Sequence, residues 1–563
     1  MDGHGDEAPV SDAKDLLGLR RIWRTIRYVL LRATAARGPR RKAVLLVGIL
    51  AIVAWQWGFS FHDAKIDETY KNTAASGMHN DVYFVYFLWY ENLFPVVSTA
   101  AYQPCSYRCA PTQESMAPAA QTQEAADAVL KNQASTLQMD SGWTWYAGDR
   151  GKIFLYLFDV WLKGSPWHPS VKPFHRFAWI ISLCALFFSF WRVRRPWLGA
   201  LLVVFIGSDP FQLYEVNGRE NVFGWSITTA VLLLAIHLPL LTNKRIDPRW
   251  AFAWPIGTAI MMATIRMFRS EPMPMLAGAL LAYMFAQFRG VHEKREKWML
   301  RAALVTTFFA VFSLGGKFWG HYFVAKQAEA QEALTRLGGH PYRGDMRMYH
   351  HFWHPVWCGL GDFDTKYGYV WDDTRAIAYA KPILEQKYHV YVPSTAFNYP
   401  VKSLNEYWDT EGLYKKLPYD IDHYSDVVRD KVLGDIERDP KWYAEILYKR
   451  VVRILTETTP LRISTRTGWW NVPWISAKLF VPLLLLAFVA RAKFATKLLL
   501  FTLPTVVTAL LIYCANGIQY YGIFHLFSAA IMVMVLVELG RMAYAAVQRS
   551  RRARRQGATA DAE

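Results

Sequence analysis

Apolar positions fall in ten runs, at 43–61, 177–191, 197–207, 222–241, 250–265, 273–288, 302–319, 472–490, 498–514 and 522–539. Continuous hydrophobicity over about 20 residues predicts a bilayer-spanning helix. The run at 197–207 is shorter, as a re-entrant or tilted segment would be. Ahead of the first run, Leu16, Leu19, Ile22, Trp23, Ile26, Val29 and Leu30 recur at helical spacing with Arg on the opposite side. That pattern predicts an amphipathic helix on the inner membrane face, with a soluble helix against a cytosolic partner as the alternative.

Two long polar stretches interrupt the apolar pattern, at 62–172 and 320–471. The first has an Ala/Gln/Glu-rich middle, then turns aromatic from Trp143 into Gly151-Lys152-Ile153-Phe154-Leu155-Tyr156-Leu157-Phe158-Asp159-Val160-Trp161, as an interfacial belt does. The second holds the aromatic and His-rich stretch from His350 to Asp373, read as an irregular loop, and later Asp439-Pro440, an N-cap followed by Pro at the first helical position. The divisions are therefore 1–42, a cytosolic tail with the interfacial helix; 43–319, a membrane module including the first outer loop; 320–471, a second outer segment; 472–540, the last spans; and 541–563, a basic cytosolic tail.

Charge fixes the expected orientation. The formal net charge is +18, but the basic residues stand in blocks beside apolar runs rather than along a reading surface. Arg40, Arg41 and Lys42 precede the first run, Arg192, Arg194 and Arg195 follow the second, and Arg549, Arg551 and Arg552 follow the last. Positive-inside bias accounts for them and leaves no call for nucleic acid as a partner. Ten spans with both ends in the cytosol satisfy this bias, and both long polar stretches then face outward. The expected class is an all-α polytopic membrane protein, in a bacterial inner membrane with its site toward the periplasm. A composition of 53% hydrophobic and 15% aromatic residues agrees with that class.

Five cysteines form no Cys-x-x-Cys pair, and no HExxH motif is present, so neither a metal nor another cofactor is expected. Cys105 and Cys109 suit either a small disulfide or two free thiols. No cleavable signal peptide is expected, since the first apolar run begins after more than forty residues and is a full span.

Candidate chemistry gathers at the predicted outer surface. Asp63, Asp67 and Glu68 stand directly after the first run, where a carboxylate stays ionised near water and still reaches a lipid-borne group. Arg219, Arg266, Arg269 and Lys317 come from outer ends of other runs and offer cations to a phosphate, Arg in particular through its planar fork. Each has an alternative as an anchor, a partner of a nearby acid such as Glu215, Glu220 or Glu271, or a snorkelling lysine. His350, His351, Trp353 and His354 are candidates for contact with sugar rings or phosphates.

This arrangement resembles the GT-C superfamily of integral-membrane glycosyltransferases, including the protein O-mannosyltransferases and bacterial lipid A aminoarabinose transferases. Asp67-Glu68 is similar to the mannosyltransferase Asp-Glu pair. Gly151-Lys152 through Leu155-Tyr156, then Gly164-Ser165 and Arg176, follows the spacing of the family's Pro-Pro-Leu-Tyr and Gly-Ser to Arg pattern, with Ile153-Phe154 in place of the two prolines. The resemblance covers roughly 43–319. It implies inverting transfer of a sugar from a polyprenyl-phosphate-linked donor in the membrane lipid to a glycan, lipid or protein acceptor. Asp63 or Asp67 would take the acceptor proton, and the arginines would stabilise the departing phosphate. The rivals are an envelope polysaccharide ligase or polymerase, and a transporter or flippase. Against transport stand the lack of an internal repeat and of charge deep in any run, Lys478 near an outer end excepted.

Overall fold

The computed structural model describes residues 39–58, 60–62, 97–99, 137–139, 151–164, 170–217, 223–242, 244–268, 273–336, 352–390, 423–456, 461–465, 468–472, 475–512 and 518–560. They are mostly helical. The helices are α1 (Pro39–Gly58), α2 (Lys152–Lys163), α3 (Lys172–Arg192), α4 (Pro196–Gly207), α5 (Pro210–Asn217), α6 (Phe223–Leu241), α7 (Pro248–Ala251), α8 (Ala253–Ile265), α9 (Met275–Met284) and α10 (Lys294–Arg336). There follow α11 (Trp353–Leu360), α12 (Asp373–Lys387), α13 (Tyr424–Arg438), α14 (Pro440–Thr456), α15 (Phe480–Val489), α16 (Lys493–Thr502), α17 (Val507–Leu511) and α18 (Ile518–Ala560). Short strand pairs join β1 (Val97–Thr99) to β2 (Leu137–Met139), β3 (Arg245–Ile246) to β4 (Gln287–Phe288), and β5 (Leu461–Thr465) to β6 (Gly468–Val472), the last in an antiparallel hairpin.

Among the described residues four helices are long and apolar enough to cross a membrane: Lys172–Arg192, Gly224–Leu241, Lys294–Lys326 and Phe527–Arg551. A fifth arises if α4 and α5, bent by 65° at their break, form one span. The apolar helices Lys42–Gly58, Met275–Met284 and Ala477–Val489 are shorter. The chain therefore reads as a helical membrane protein. Its main core includes Trp179 and Leu186 of α3, Leu202 of α4, Leu234 of α6, Met262 of α8 and Ile531 of α18.

Several expected boundaries shift for local reasons. The run at 302–319 belongs to a helix of 43 residues that starts at Lys294 and continues to Arg336, because the Ala, Gln, Glu and Lys residues from Ala325 onward favour helix and outweigh the single Gly320. The last run likewise extends to Ala560 through its Ala/Arg-rich tail. The run at 498–514 is broken: α16 ends at Thr502, and a 3₁₀ turn over Leu503–Val506 accommodates Pro504 before α17. The irregular loop expected around His354 is corrected. Trp353–Leu360 is a helix, with Pro355 in its first turn, where the missing N–H costs nothing.

The helices between 352 and 456 bury a second core, including Trp357, Leu360, Tyr369, Ile377, Tyr424, Val428, Trp442 and Ile446. α14, begun as expected at Pro440, reaches from this core to the main one, where Ile454 is buried. Asp435 accepts hydrogen bonds from Tyr369 Oη (2.8 Å) and Lys431 Nζ (2.8 Å). Asp364 organises the turn after α11. Its carboxylate accepts from the backbone N–H of Lys366 (2.9 Å), Tyr367 (3.1 Å) and Tyr369 (2.8 Å), and from the Trp442 indole (3.0 Å).

Burial opposes charge on Asp364, but these donors outweigh it and hold the carboxyl below the usual aspartate range. The folded value lies below the unfolded one, so the stabilisation is complete above the unfolded pKa and is lost as pH falls through the folded value. Asp364→Asn is expected to cost about 1.5–3 kcal/mol at neutral pH. It should also flatten the acid limb of a melting-temperature profile taken from pH 7 downward. An unchanged acid limb would show that Asp364 does not carry this dependence.

Candidate functional site

One group of polar side chains in the main helical body gathers where α1 ends and the α4–α5 pair breaks. Gln56, fully buried in α1, donates through Nε2 to the carbonyl of Gly207 (3.0 Å) and accepts from Trp179 Nε1 (3.1 Å), so one amide ties α1, α3 and α4 together. A 3₁₀ turn, Ser60–His62, follows α1. The Phe61 carbonyl accepts from Asn217 Nδ2 (3.1 Å), the last residue of α5, and Asn217 Oδ1 in turn accepts from Arg176 Nε. The Arg176 guanidinium also lies 5.4 Å from the centre of the Phe61 ring, a cation–π contact.

Between the apolar runs at 197–207 and 222–241 the chain forms α5. Asp209 caps it, Oδ1 accepting from Phe211 N (3.0 Å) and Gln212 N (3.2 Å), and Pro210 supplies the preset first turn. Its apolar Leu213 and Val216 pull it into the core, and Asp209 and Glu215 go with them to 1% exposure each. Arg462 on β5, which packs against α5, is the cation whose field acts on Asp209. At the start of α6, a Cβ on Gly224 would stand 2.5 Å from the Glu215 carbonyl oxygen and 2.9 Å from His175 Nδ1, so only glycine lets α6 begin this close to α5 and α3.

The next residue, Trp225, leads to a second edge of the site. Its ring lies 5.0 Å from Phe174 and 5.9 Å from Phe268, centre to centre. Phe268 sits in the turn after α8, where Gly151 N donates to the Met267 carbonyl (2.7 Å) and so anchors the start of α2. Arg266 in this turn is exposed, and so is Lys317 on α10. Trp319 Nε1 donates to Thr264 Oγ1 (3.3 Å), which sets the two cations at one level of the α8–α10 pair.

Of the residues singled out in the sequence, Arg266 and Lys317 thus come to one level of the α8–α10 pair. His354 is elsewhere, buried in the second core, with Nδ1 2.6 Å from Tyr424 Oη and Nε2 3.8 Å from Cys358 Sγ; Trp353 beside it is half-buried. Asp63, Asp67, Glu68, Arg219, Arg269, His350 and His351, as well as Cys105 and Cys109, lie outside the described residues. Among the described residues no group of three or more His, Cys, Asp or Glu side chains could hold a metal. Gln56, His175, Asp209, Gln212, Asn217 and Arg462 escaped the sequence reading. A usable signal existed for one of them, because Asp209-Pro210 is the same cap-and-proline pair that marked Asp439-Pro440.

What the arrangement offers chemically is a pair of buried carboxyl groups, Asp209 and Glu215, with Arg462 acting on the first, and an Arg176–Asn217 contact that anchors the end of α1. The chain matches no family model, no curated protein and no solved structure in the comparisons made.

Proposed function

We propose that the chain is a membrane glycosyltransferase that moves a sugar from a polyprenyl-phosphate-linked donor to a hydroxyl of a glycan, lipid or protein acceptor. The observation that carries this reading is the anchoring of the end of α1, Phe61 to Asn217 to Arg176, together with the exposed Arg266 and Lys317 at one level of the α8–α10 pair. Asp63 stands two residues beyond Phe61, a tether of about 7 Å at full extension, which favours its reaching the cluster. Asp67 and Glu68 have longer tethers. In this reading one aspartate takes the acceptor proton, while Arg219, Arg266, Arg269 and Lys317 receive the charge that develops on the departing phosphate. Ten spans, a GT-C-like arrangement and an outward-facing site in a bacterial inner membrane belong to the same proposal.

The test is reconstitution in nanodiscs with a polyprenyl-phosphate hexose. Arg266→Ala is expected to weaken donor binding by about 1–3 kcal/mol, the value of a charge-assisted hydrogen bond, and Arg266→Lys to restore only part of it. Donor binding unchanged in Ala variants of Arg219, Arg266 and Arg269 would leave these residues as anchors. A second reading, a transporter or flippase, is favoured by the broken α4–α5 pair with Asp209 at the break, since interrupted helices are where transporters bind cargo. It requires movement of lipid between leaflets with no new glycosidic bond, which the same nanodiscs and matched vesicles distinguish.

A further inference from the structure

α9 ends in the turn Phe285–Ala286, and two cations from other helices are held on that turn. Arg301 of α10 donates to the Ala286 carbonyl through Nε (3.2 Å) and Nη2 (3.0 Å), and its Nη1 meets no acceptor among the described residues. Lys497 of α16 holds Nζ 4.8 Å from the centre of the Phe285 ring. Carbonyls at the end of a helix attract positive charge, which brings both cations to this place. Lys493 is exposed one helical turn before Lys497, on the same face of α16, and its field and that of Arg301 both act on Lys497. Three like charges therefore stand together beside one turn and repel one another.

The acids of this end of the bundle are engaged elsewhere. Glu538 accepts from Arg195 (2.7 Å) and Arg541 (3.0 Å), and Asp247 caps α7 by accepting from Arg249 N (3.0 Å). Glu293 and Glu296, beside the start of α10, form no ion pair with Arg301 or Lys493 among the described residues. An anion supplied from outside the chain would relieve the repulsion. The apolar surroundings favour one that carries chains. Trp298, its ring 5.2 Å from the Arg301 guanidinium, is exposed, and so is Met299. The face of α10 that holds Arg301 continues through half-buried Val305 to exposed Phe309, an apolar strip against which an acyl chain can lie.

We infer that the end of α9, with Arg301, Lys493 and Lys497 around it, is a head-group site for an anionic phospholipid with two phosphates, its chains along the exposed face of α10. Basic surfaces between membrane helices bind such head groups through charge, and two phosphates match three cations better than one. Arg301 lies 16 residues before Lys317 on α10, about 24 Å along the helix, so this site is separate from the cations assigned to the sugar donor.

The full-length protein in detergent is titrated with tetraoleoyl cardiolipin, dioleoyl phosphatidylglycerol and dioleoyl phosphatidylcholine, and bound lipid is counted by native mass spectrometry. Inorganic pyrophosphate is the competitor that has the phosphates without the chains. Cardiolipin is expected to bind tightest and phosphatidylcholine weakest. Lys493→Gln is the main variant, because this exposed side chain makes no hydrogen bond among the described residues and its loss should leave the fold intact. Lys493→Gln and Lys497→Gln are each expected to weaken cardiolipin about fivefold, the weight of one basic residue at an anionic surface. Arg549→Gln removes the same charge from the exposed tail of α18 and should leave cardiolipin binding unchanged. Cardiolipin held no more tightly than either other lipid, binding unchanged in both lysine variants, or equal weakening by Arg549→Gln overturns the site. Displacement of cardiolipin by an equal concentration of pyrophosphate overturns it as well, in favour of a soluble anion.

Discussion

Asn in place of Asp63 is expected to abolish sugar transfer while expression and donor binding stay near normal. A general base contributes about 10²–10⁴ in rate, and Asn preserves the shape of Asp while removing its capacity to take a proton. At about 1.4 kcal/mol per tenfold, that loss corresponds to roughly 3–5 kcal/mol of transition-state stabilisation. Asp63 is chosen because Asn217 pins the turn just before it at Phe61, so that of the three acids it has the shortest tether to that anchor. Asp67→Asn is the comparison. If it alone abolishes transfer, the base is the aspartate beside Glu68, as the resemblance to the mannosyltransferase pair implies. Normal transfer in both variants would end the mechanism proposed above, whatever the fold does. A transporter places no such demand on either acid and would lose lipid movement, not bond formation.

What the sequence made legible was what local physics controls. The run at 177–191 became a helix from Lys172 to Arg192, and that at 222–241 a helix from Phe223 to Leu241, because uniform hydrophobicity leaves little else for the backbone to do. The start of α14 followed from Asp439-Pro440. Ends were less readable where strong helix formers override a breaker, as past Gly320 in α10, and runs divided where Pro504 intervenes. The polar cluster was illegible for a different reason. Gln212, Glu215 and Asn217 look like loop residues, and their burial is decided by partners distant in sequence: Asn217 meets Phe61 across 156 residues and Arg176 across 41. Composition carries no trace of such pairings. The same holds for Glu538, which sits buried in the last helix because Arg195, 343 residues away, donates to it at 2.7 Å.

Arg450 is the strongest case of that kind, and its replacement should have the largest effect on stability. In the sequence it is one more cation on an amphipathic helix. In the structure its side chain is fully buried, with Nη1 donating to the Leu510 carbonyl (3.0 Å) and Nε 3.7 Å from Asp362 Oδ2, itself only 3% exposed. Asp362 belongs to the turn after α11 and Leu510 to α17, so this one guanidinium joins the 352–456 helices to the C-terminal part of the bundle. Arg450→Met keeps much of the volume but takes the cation away from a buried carboxylate and the donor from Leu510. Removing one member of a buried ion pair costs about 3–5 kcal/mol. Denaturant unfolding in detergent, followed by the fluorescence of Trp357 and Trp442 in the second core, should show that loss as an early transition of this unit. The double variant Asp362→Leu, Arg450→Met supplies the control, because replacing both charges by apolar groups is often near neutral. Recovery of most of the lost stability there, with the Leu510 carbonyl still lacking its donor, would assign the cost to the stranded carboxylate. If Arg450→Met alone is as stable as the unaltered protein, the guanidinium is not the joint between the two cores.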